Sequence, residues 1–419
     1  MPPFQVARLA NLASLFIALV AAVTHEDGAQ APHAATPDWP QWRGTQRDGR
    51  ISGFRAPSIW PETLACRWSA TVGLGDATPA LVGDKLYVFA RQGDREATLC
   101  LDALHGRELW REEYEAEAVT GPGRSHPGPR SSPAVAQGKV VTLGVGGVLS
   151  CLDAGTGRLL WRKDPFPKTV PISFVAMSPL LLNGTCIAHL GAHRNSAVIA
   201  YDLASGEEKW RWAGDGPAYA SPVPLTAAGV RQVVVQADLS LVGLAVADGR
   251  LLWKVPTPIW GAFSNSVTPV VDGEVVIYSG QGAGTHAVKI ERRGDGFAAA
   301  RCWTNKNLDL KFSTPVLKDR RLFGLTDRGT FFCLDVASGS TVWVDEERRG
   351  EYGAILDAGP TILALTEKGV LFAFDPDGTS YAERARIRVS EKETYAHPVV
   401  AGRRIYVRDR ERLSLLEFP

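Results

Sequence analysis

The sequence lacks sustained helical periodicity outside its N-terminus and carries no excess charge of either sign. Lysine and arginine number 46 against 45 for aspartate and glutamate, which leaves a net charge of +1 at pH 7. Such a balance creates no field to attract nucleic acid or an anionic membrane, so we predict that the protein binds no nucleic acid. Gly-x-Ser-x-Gly turns and Walker-type phosphate loops are also missing, which argues against a serine hydrolase and a P-loop nucleotide enzyme.

The six cysteines include no adjacent pair. Cys100, Cys151 and Cys333 each stand two residues before a repeated aspartate, and equivalent positions in neighbouring repeats are usually too far apart for a disulfide. We therefore interpret these three as small buried hydrophobic residues. The disulfide state of the others stays open: Cys66, Cys186 and Cys302.

A long hydrophobic run occurs only at the N-terminus. Arg8 precedes the apolar stretch Leu9–Val23, which is short for a membrane span and typical of a signal peptide. We predict a signal peptide over residues 1–31 with cleavage somewhere within 22–31, an uncleaved anchor being the alternative. No cysteine lies near this boundary to carry a lipid. The expected product is exported to the periplasm or beyond and has no integral membrane segment once the signal is removed.

What the sequence does contain is a repeated hairpin, typified by Cys151–Trp161. Its spacing Asp-x-x-x-Gly-x-x-x-Trp predicts a strand, a tight turn and a second strand. The aspartate accepts backbone N–H groups in the turn, the glycine supplies a positive φ, and the tryptophan supplies a large apolar face. Four copies are complete and two are partial: Asp102, Gly106 and Trp110; Asp153, Gly157 and Trp161; Asp202, Gly206 and Trp210; Asp335, Gly339 and Trp343; then Gly249 with Trp253, and Trp303 alone.

A second repeat places a proline, usually after serine or threonine, before an apolar strand. Its eight prolines recur at a spacing close to that of the hairpins: Pro79, Pro133, Pro179, Pro222, Pro269, Pro315, Pro360 and Pro398. Eight units of four short strands predict an all-β fold, an eight-bladed β-propeller of four-stranded antiparallel blades.

The ends of the repeat region predict how the ring closes. The last unit stops after its third strand, and Ala65–Gly73 has the pattern of an isolated fourth strand. Pairing between the two would close the ring and remove two open sheet edges. The propeller is therefore expected over residues 65–419. Residues 32–64 should form an N-terminal segment that packs on it through Trp39 and Trp42.

The complete hairpins resemble the tryptophan-docking repeats of the PQQ-like eight-bladed propellers. That family includes quinoprotein alcohol dehydrogenases and the outer-membrane assembly factor BamB, and the resemblance covers about Trp39 to Phe418. It implies that the tryptophans pack between adjacent blades and stabilise the ring. The resemblance is specific for the fold and leaves the activity open.

The same resemblance implies one enzymatic alternative, a PQQ-dependent dehydrogenase that oxidises an alcohol or a sugar. Such an enzyme would need PQQ and a calcium ion held by converging oxygen ligands, and its relatives typically place a Cys–Cys disulfide against the quinone. The chain has no such pair and no acid cluster of suitable local pattern. We therefore predict no catalytic, cofactor-binding or metal-binding residue. PQQ and Ca²⁺ belong only to this alternative.

The connectors between units vary most in length and carry aromatic, cationic and amide side chains, which suit recognition of a peptide or a small ligand. We predict a monomeric binding or scaffolding module that takes a protein or small ligand on this face. A BamB-like assembly factor is a second alternative. The candidate residues of the connector face are His126, Arg130, Tyr219, Trp260, Asn265, Lys311, Asp357, Tyr395 and His397.

Overall fold

The structure, a computed structural model, describes residues 37–257 and 265–419. The predicted signal peptide over 1–31 lies outside the described residues. Within them the chain forms 32 β-strands and one short 3-10 helix at Gly121–Gly123. This part of the chain contains no helix of the length and apolarity that a membrane crossing requires.

The strands assemble into eight four-stranded antiparallel sheets, so the predicted eight-bladed propeller is confirmed. The first strands of the blades surround the central channel: β2 Ala80–Val82, β6 Ala134–Ala136, β10 Leu180–Leu182, β14 Val223–Ala227, β18 Val270–Asp272, β22 Val316–Lys318, β26 Gly353–Asp357 and β30 Val399–Ala401. The second strands follow: β3 Lys85–Gln92, β7 Lys139–Leu143, β11 Thr185–Ala192, β15 Val230–Gln236, β19 Val275–Gly280, β23 Arg321–Leu325, β27 Ile362–Thr366 and β31 Arg404–Arg408.

Four of the third strands end at a repeated aspartate. The third strands are β4 Arg95–Asp102, β8 Leu149–Asp153, β12 Asn195–Asp202, β16 Ser240–Ala245, β20 Gly284–Arg293, β24 Phe331–Asp335, β28 Val370–Phe374 and β32 Arg412–Glu417. The outer strands are more exposed to solvent: β1 Ala65–Thr71, β5 Glu108–Glu115, β9 Leu159–Lys163, β13 Glu208–Trp212, β17 Leu251–Pro256, β21 Gly296–Asn305, β25 Thr341–Val344 and β29 Glu383–Arg388.

The eighth blade closes the ring as the sequence predicts. Strand β1 pairs antiparallel with β32, so that the N-terminal strand completes the sheet formed by the C-terminal residues. Ser69 lies opposite Ser414 in this pairing, and their hydroxyl oxygens are 2.8 Å apart. Because the two strands come from opposite ends of the chain, the blade joins the beginning of the propeller to its end.

Among the described residues, tryptophans connect five of the eight pairs of neighbouring blades in one recurring geometry. In each, the indole N–H of one blade donates to the carbonyl just beyond the turn-entry residue of the next blade, as Trp161 does to Leu203 at 3.1 Å. The ring covers the turn glycine so closely that a Cβ on Gly206 would lie 2.7 Å from Trp161. The other pairs are Trp68–Ala103, Trp110–Ala154, Trp210–Val246 and Trp303–Val336, at 2.7–3.3 Å.

The glycine of each hairpin therefore contacts a tryptophan of the preceding blade and not the tryptophan of its own hairpin. The sequence pattern groups Gly157 with Trp161, but the ring above Gly157 is that of Trp110. The same displacement by one blade holds for four more glycines, at which an added Cβ would lie 2.4–2.6 Å from the ring: Gly106 lies under Trp68, Gly157 under Trp110, Gly249 under Trp210 and Gly339 under Trp303. Each glycine therefore contacts the preceding blade, and each tryptophan contacts the following blade.

The turns themselves have the geometry that the spacing predicts. Gly106, Gly157, Gly249 and Gly339 have φ values of 69°, 75°, 72° and 73°. The repeated aspartates accept backbone N–H groups two or three residues ahead at 2.8–3.1 Å: Asp102, Asp153, Asp202 and Asp335. These residues shape the turns at the blade junctions, and none of them lines the central cavity described below.

Two further tryptophans are buried in other surroundings. Trp253 donates to the side chain of Gln232 within its own blade at 2.7 Å, and the long β20–β21 hairpin packs nearby in place of a short turn. Trp343 packs against Phe374 and Tyr381, with ring centroids 6.1 and 5.9 Å away. A complete repeat in a tryptophan's own blade therefore does not decide its contact with the next blade, because Trp343 belongs to a complete repeat and departs from the recurring geometry, whereas Trp303 belongs to a partial repeat and keeps it.

The serine and threonine residues that precede six of the repeated prolines form a hydrogen-bonded belt that runs from the eighth blade through the first to the sixth. The hydroxyl of Ser178 accepts the backbone N–H of Ser132, and the N–H of Ser178 donates to the hydroxyl of Ser221, both at 2.9 Å. The same bond joins four more pairs of residues at 2.9–3.2 Å: His397 to Thr78, Thr78 to Ser132, Ser221 to Thr268 and Thr268 to Thr314. Each hydroxyl thereby satisfies a buried N–H of the preceding blade, which has no strand partner there.

The prediction that Pro360 begins the seventh unit is wrong. The first strand of that blade is β26, which ends at Asp357, and Pro360 lies in the turn before β27. The segment Gly359–Pro360 favours a turn, while β26 begins at Gly353 without any proline to mark it. The prediction that Asp357 lies on the connector face is wrong as well, because Asp357 lies at the far end of β26 from the connector that precedes that strand.

All six cysteines are unpaired. Cys100, Cys151, Cys186 and Cys333 are buried, and Cys66 is exposed. Cys302 is exposed as well. Burial raises the pKa of the Cys100 and Cys151 thiols to about 12, so both stay protonated and unreactive at neutral pH.

Candidate functional site

A loop of the N-terminal segment rises into the central channel from the face opposite the connectors. At its base, Trp39 exchanges two backbone hydrogen bonds with Leu81 in β2, and Ile51 donates to Asp357 at the end of β26. Between these points the loop reaches the level of the hydroxyl belt, where Trp42 packs edge-on against His397 with ring centroids 5.6 Å apart. The loop therefore converts an open channel into a pocket with a floor.

Two buried arginines hold this loop in place. Arg43 donates to the carbonyls of Thr314 and Pro315 at 3.1 and 2.7 Å. Arg47 donates to the carbonyls of Ser178 and Pro179 at 3.1 and 2.8 Å. Because these carbonyls belong to blades on different sides of the channel, the two guanidinium groups fix the loop across it.

Above the floor lies a funnel-shaped cavity of about 540 Å³ that opens toward the connectors. This volume falls in the range of pockets that hold small organic ligands. Six of the nine candidate residues line it: His126, Arg130, Tyr219, Lys311, Tyr395 and His397.

The remaining three candidates lie elsewhere or outside the described residues. Asn265 is buried and its amide donates to the carbonyls of Ala237 and Asp238 at 3.2 and 2.8 Å, so it supports a connector instead of facing the funnel. Asp357 pairs with Arg50 and Lys318 at the opposite end of the channel, at 3.3 and 3.4 Å. Trp260 falls among residues 258–264, which the structure does not describe.

His126 forms the best-defined polar arrangement on the wall. Its Nδ1 lies 2.7 Å from Oδ2 of Asp76, and its ring packs edge-on against Tyr395 at 4.7 Å. Asp76 is largely buried, whereas the His126 side chain keeps 29% of its surface exposed. A histidine oriented by a carboxylate in this way can offer its other nitrogen to a ligand. Asp76 could not be identified from the sequence because it belongs to no repeated motif.

Arg130 and Tyr219 support the rim of the funnel. Arg130 donates to the carbonyls of Gly123 and His126 at 3.2 and 2.8 Å, which ties its own connector together. Tyr219 donates its hydroxyl to the carbonyl of Ser173 at 2.6 Å. The guanidinium of Arg130 therefore binds backbone oxygens and holds the rim in shape.

Phe312 occupies a strained position on the same wall. Its φ is 59°, a left-handed conformation that costs a bulky residue free energy. The Nζ of Lys311 lies 5.3 Å from its ring centroid, and the ring of Tyr219 lies 6.1 Å away. Strain of this kind persists where the surrounding contacts enforce it, and it is common at binding sites.

His397 lies at the junction of wall and floor and is 3% exposed. Burial, with a smaller contribution from the charge of Arg43, lowers the pKa of His397 to about 3. The imidazole is therefore neutral at physiological pH. Its Nδ1 is buried without a hydrogen-bond partner among the described residues. An unpaired buried polar atom beside a cavity is costly unless a ligand or water satisfies it.

The carboxylates of the wall do not assemble the ligands that a calcium–quinone centre requires. Asp76 is engaged by His126, and Glu351 is exposed and paired with Arg348 at 3.0 Å. Within residues 37–257 and 265–419, no group of three histidine, cysteine, aspartate or glutamate side chains is arranged to hold a metal ion. Calcium normally takes six to eight oxygen ligands, so the described residues do not fit it.

Comparison with known proteins places the chain among PQQ-like propellers. The model of the family described as outer membrane protein assembly factor BamB matches residues 95–345, more than half of the chain. BamB of Burkholderia pseudomallei is 26% identical over 81% of this chain and 84% of its own length. The quinohemoprotein alcohol dehydrogenase of Comamonas testosteroni is 29% identical over 46% of this chain.

The chain spans 28% of the length of that dehydrogenase. Among solved structures, BamB from Moraxella catarrhalis superposes with a TM-score of 0.62 at 17% identity, covering 85% of this chain and all of the other. This likeness concerns the fold.

Proposed function

This chain belongs to the family of the outer membrane protein assembly factor BamB, and from that premise we propose that it is a binding or scaffolding module that takes its ligand in the funnel. The observation that carries the proposal is the cavity itself, which the N-terminal loop closes at one end and the connectors leave open at the other. A pocket with one entrance holds a ligand end-on, and its aromatic and polar wall is of the kind that recognises peptides and small organic molecules.

A cavity-filling variant tests this proposal. Ala176 lines the funnel, so Ala176→Trp should occupy it. Ala204 lies in the exposed turn after Asp202, so Ala204→Trp adds the same ring away from the funnel. We expect the fluorescent aromatic probe N-phenyl-1-naphthylamine or its sulfonated analogue 8-anilino-1-naphthalenesulfonate to bind the wild type and the Ala204→Trp variant, and to lose binding in Ala176→Trp. Equal binding by all three proteins, or by none, would overturn the proposal.

A role in outer-membrane assembly is the form of this function that the relatives favour, because two proteins named as that assembly factor match the chain. The ligand would then be a segment of a partner protein. We expect the purified chain to retain the β-barrel assembly factor of its own organism in a pull-down, and the Ala176→Trp variant to retain less. Retention that is the same with and without the chain would contradict this role.

The similarity to a quinohemoprotein alcohol dehydrogenase supports a second candidate function, oxidation of an alcohol or sugar with PQQ. The carboxylates of the described wall do not favour it. Reconstitution with PQQ and calcium, followed by an assay of alcohols and aldoses with an artificial electron acceptor, separates the two functions. We expect no quinone-dependent turnover, and reproducible turnover that disappears with the quinone would favour the dehydrogenase.

We also propose that the chain acts as a monomer after export. The prediction is that residues 1–31 include a cleaved signal peptide. Mass spectrometry of the protein recovered from the cell envelope should then give an N-terminus between residues 22 and 32. A mature protein that still begins at Met1 would support the uncleaved anchor.

A further inference from the structure

The chain contains a single Asn-Gly pair, Asn183–Gly184. The pair forms the two-residue turn between β10 and β11, whose closing residues are Leu182 and Thr185. The φ of Asn183 is 51° and that of Gly184 is 71°, the left-handed combination of a type I′ hairpin turn. Asn183 is exposed to solvent. Its side-chain amide is therefore open to water while the backbone around it is fixed.

The backbone nitrogen that follows Asn183 is accessible too. Among the described residues, no acceptor binds the N–H of Gly184. A Cβ added to Gly184 would meet nothing nearer than the side chain of Gln137, at 3.7 Å. The other asparagines of the chain precede leucine, serine or lysine, whose side chains shield the nitrogen that follows. Asn183 is therefore the asparagine whose own backbone can most easily attack it.

The same turn supports a junction between two blades. The carbonyl of Gly184 accepts the backbone N–H of Leu203 at 2.9 Å. The carbonyl of Leu203 in turn accepts the indole N–H of Trp161 at 3.1 Å. A change in the turn between β10 and β11 is therefore transmitted through two hydrogen bonds to the tryptophan that connects the second blade to the third.

The second blade has the same arrangement with glutamine in place of asparagine. Gln137 and Gly138 have φ values of 51° and 69° in the turn between β6 and β7. The carbonyl of Gly138 accepts the N–H of Ala154 at 2.9 Å, and the carbonyl of Ala154 accepts the indole N–H of Trp110 at 3.2 Å. Attack on a glutamine side chain would close a larger and less favourable ring, so this turn is an internal control.

We propose that Asn183 is a site of spontaneous modification, at which the amide converts to aspartate or isoaspartate and the isoaspartate weakens the junction between the second and third blades. The backbone nitrogen of Gly184 attacks Cγ of Asn183 and forms a C–N bond. The proton of that nitrogen leaves with the amide group as ammonia, which gives a cyclic succinimide. Water then adds to either carbonyl of the ring and breaks its bond to the nitrogen. One opening restores the ordinary backbone with an aspartate, and the other gives isoaspartate.

The two products differ in their effect on the turn. Aspartate fits it, because Asp319 holds the same position in the turn between β22 and β23 with a φ of 46°. Isoaspartate carries the chain through its side chain and adds a backbone atom to a turn whose two residues match the twist of the strands. The carbonyl of Gly184 then moves away from Leu203, and the contact with Trp161 loses its support.

Peptide mapping of the folded protein by mass spectrometry, after incubation at about pH 7 and about pH 9, tests the site. We expect the peptide that contains Asn183 to show the mass change from amide to acid, and faster at the higher pH because the attacking nitrogen must lose its proton. An isoaspartyl methyltransferase should label this peptide, and the peptide that contains Gln137 should stay unchanged. An intact Asn183 at both pH values, or earlier conversion of another asparagine, would overturn the proposal.

Two variants separate the modification from its structural effect. Asn183→Gln blocks the reaction and reproduces the turn of the second blade, whereas Asn183→Asp supplies the product with the ordinary backbone. After incubation at about pH 9, we expect the wild type to melt about 2–4 °C lower than fresh protein and Asn183→Gln to keep its melting temperature. Fresh Asn183→Asp should melt close to the fresh wild type. An unchanged melting temperature in wild type that carries isoaspartate at this position, or an equal loss in Asn183→Gln, would overturn the link to the junction.

Discussion

At the scale of single residues, the tryptophans that connect neighbouring blades contribute both a buried apolar ring and a hydrogen bond. A buried indole removes about 150–250 Å² from water, roughly 4–6 kcal/mol at about 25 cal/mol per Å² before entropic costs. Its N–H also satisfies a carbonyl of the next blade, as Trp161 does for Leu203. Only glycine fits beneath the ring, because Gly206 combines a φ of 73° with direct contact to the indole.

The Trp161→Ala variant should lose about 3–5 kcal/mol of unfolding free energy, since it leaves a cavity and an unpaired carbonyl between two blades. Trp161→Phe keeps part of the buried area and should lose less. Denaturant unfolding of the two variants measures the difference. A midpoint unchanged from the wild type in Trp161→Ala would refute the assigned role.

His397 predicts a dependence of stability on pH. Its pKa is about 3 in the folded protein and about 6.5 in an unfolded chain. Between these values the unfolded chain binds the extra proton, so the folded state loses stability as the pH falls from about 6.5 toward 3. Thermal melting at pH 7 and pH 4 should show a smaller acid-induced loss in His397→Gln than in the wild type, by about 1–3 kcal/mol. Parallel pH profiles for the two proteins would contradict the burial of this imidazole as the neutral form.

At the scale of elements, the repeated hairpins could be identified from the sequence, but the inserted loop could not. The aspartate and glycine of each hairpin act within a few residues of each other, so their spacing reports the turn directly. The spacing does not report which tryptophan covers which glycine, because Gly157 and Trp110 belong to different blades. The bonds of Arg43 join residues 271 and 272 positions apart, and no local pattern encodes such contacts. The first strand of the seventh blade could not be located from the sequence either, because β26 lacks the proline that precedes the first strands of the other blades.

The loop makes a testable contribution to stability. Arg43→Met should remove the donors of three carbonyls and cost about 2–4 kcal/mol of unfolding free energy. Arg55 belongs to the same N-terminal segment and is exposed, so Arg55→Met is the matched control and should change stability by less than about 0.5 kcal/mol. Equal effects of the two substitutions on the denaturation midpoint would show that the loop does not depend on its buried arginine.

At the scale of the whole molecule, closure and the funnel are coupled through the path of the chain. The N-terminal residues first supply the floor and then strand β1 of the eighth blade, so the same segment completes both the pocket and the ring. Closure was predictable because one strand was missing at the C-terminus and one was left over before the first unit. The identity of the funnel residues was predictable only in part, since the sequence pointed to the connectors but not to Trp42, Asp76 or Tyr352, all three of which line the cavity.

A disulfide across the closing strands should stabilise the ring. In a background with Cys66→Ser, the double substitution Ser69→Cys and Ser414→Cys joins facing positions 345 residues apart. Closing so long a loop is expected to add up to about 5 kcal/mol in the chain-entropy model. The melting temperature should rise under oxidising conditions and return to the parent value under reducing ones, while Ser69→Cys alone should show no such shift. No difference between the two conditions, with the disulfide confirmed by mass spectrometry, would contradict the closure.

The central claim is that ligands enter the funnel and reach the floor that Trp42 provides. Fluorine NMR of the protein labelled with 5-fluorotryptophan tests it directly, with the Trp42 signal assigned by its absence in Trp42→Phe. Titration with 8-anilino-1-naphthalenesulfonate should shift the Trp42 resonance at the same concentrations that produce probe fluorescence, while the signals of Trp161 and Trp210 between the blades stay in place. Probe binding that leaves the Trp42 resonance unmoved would contradict the account.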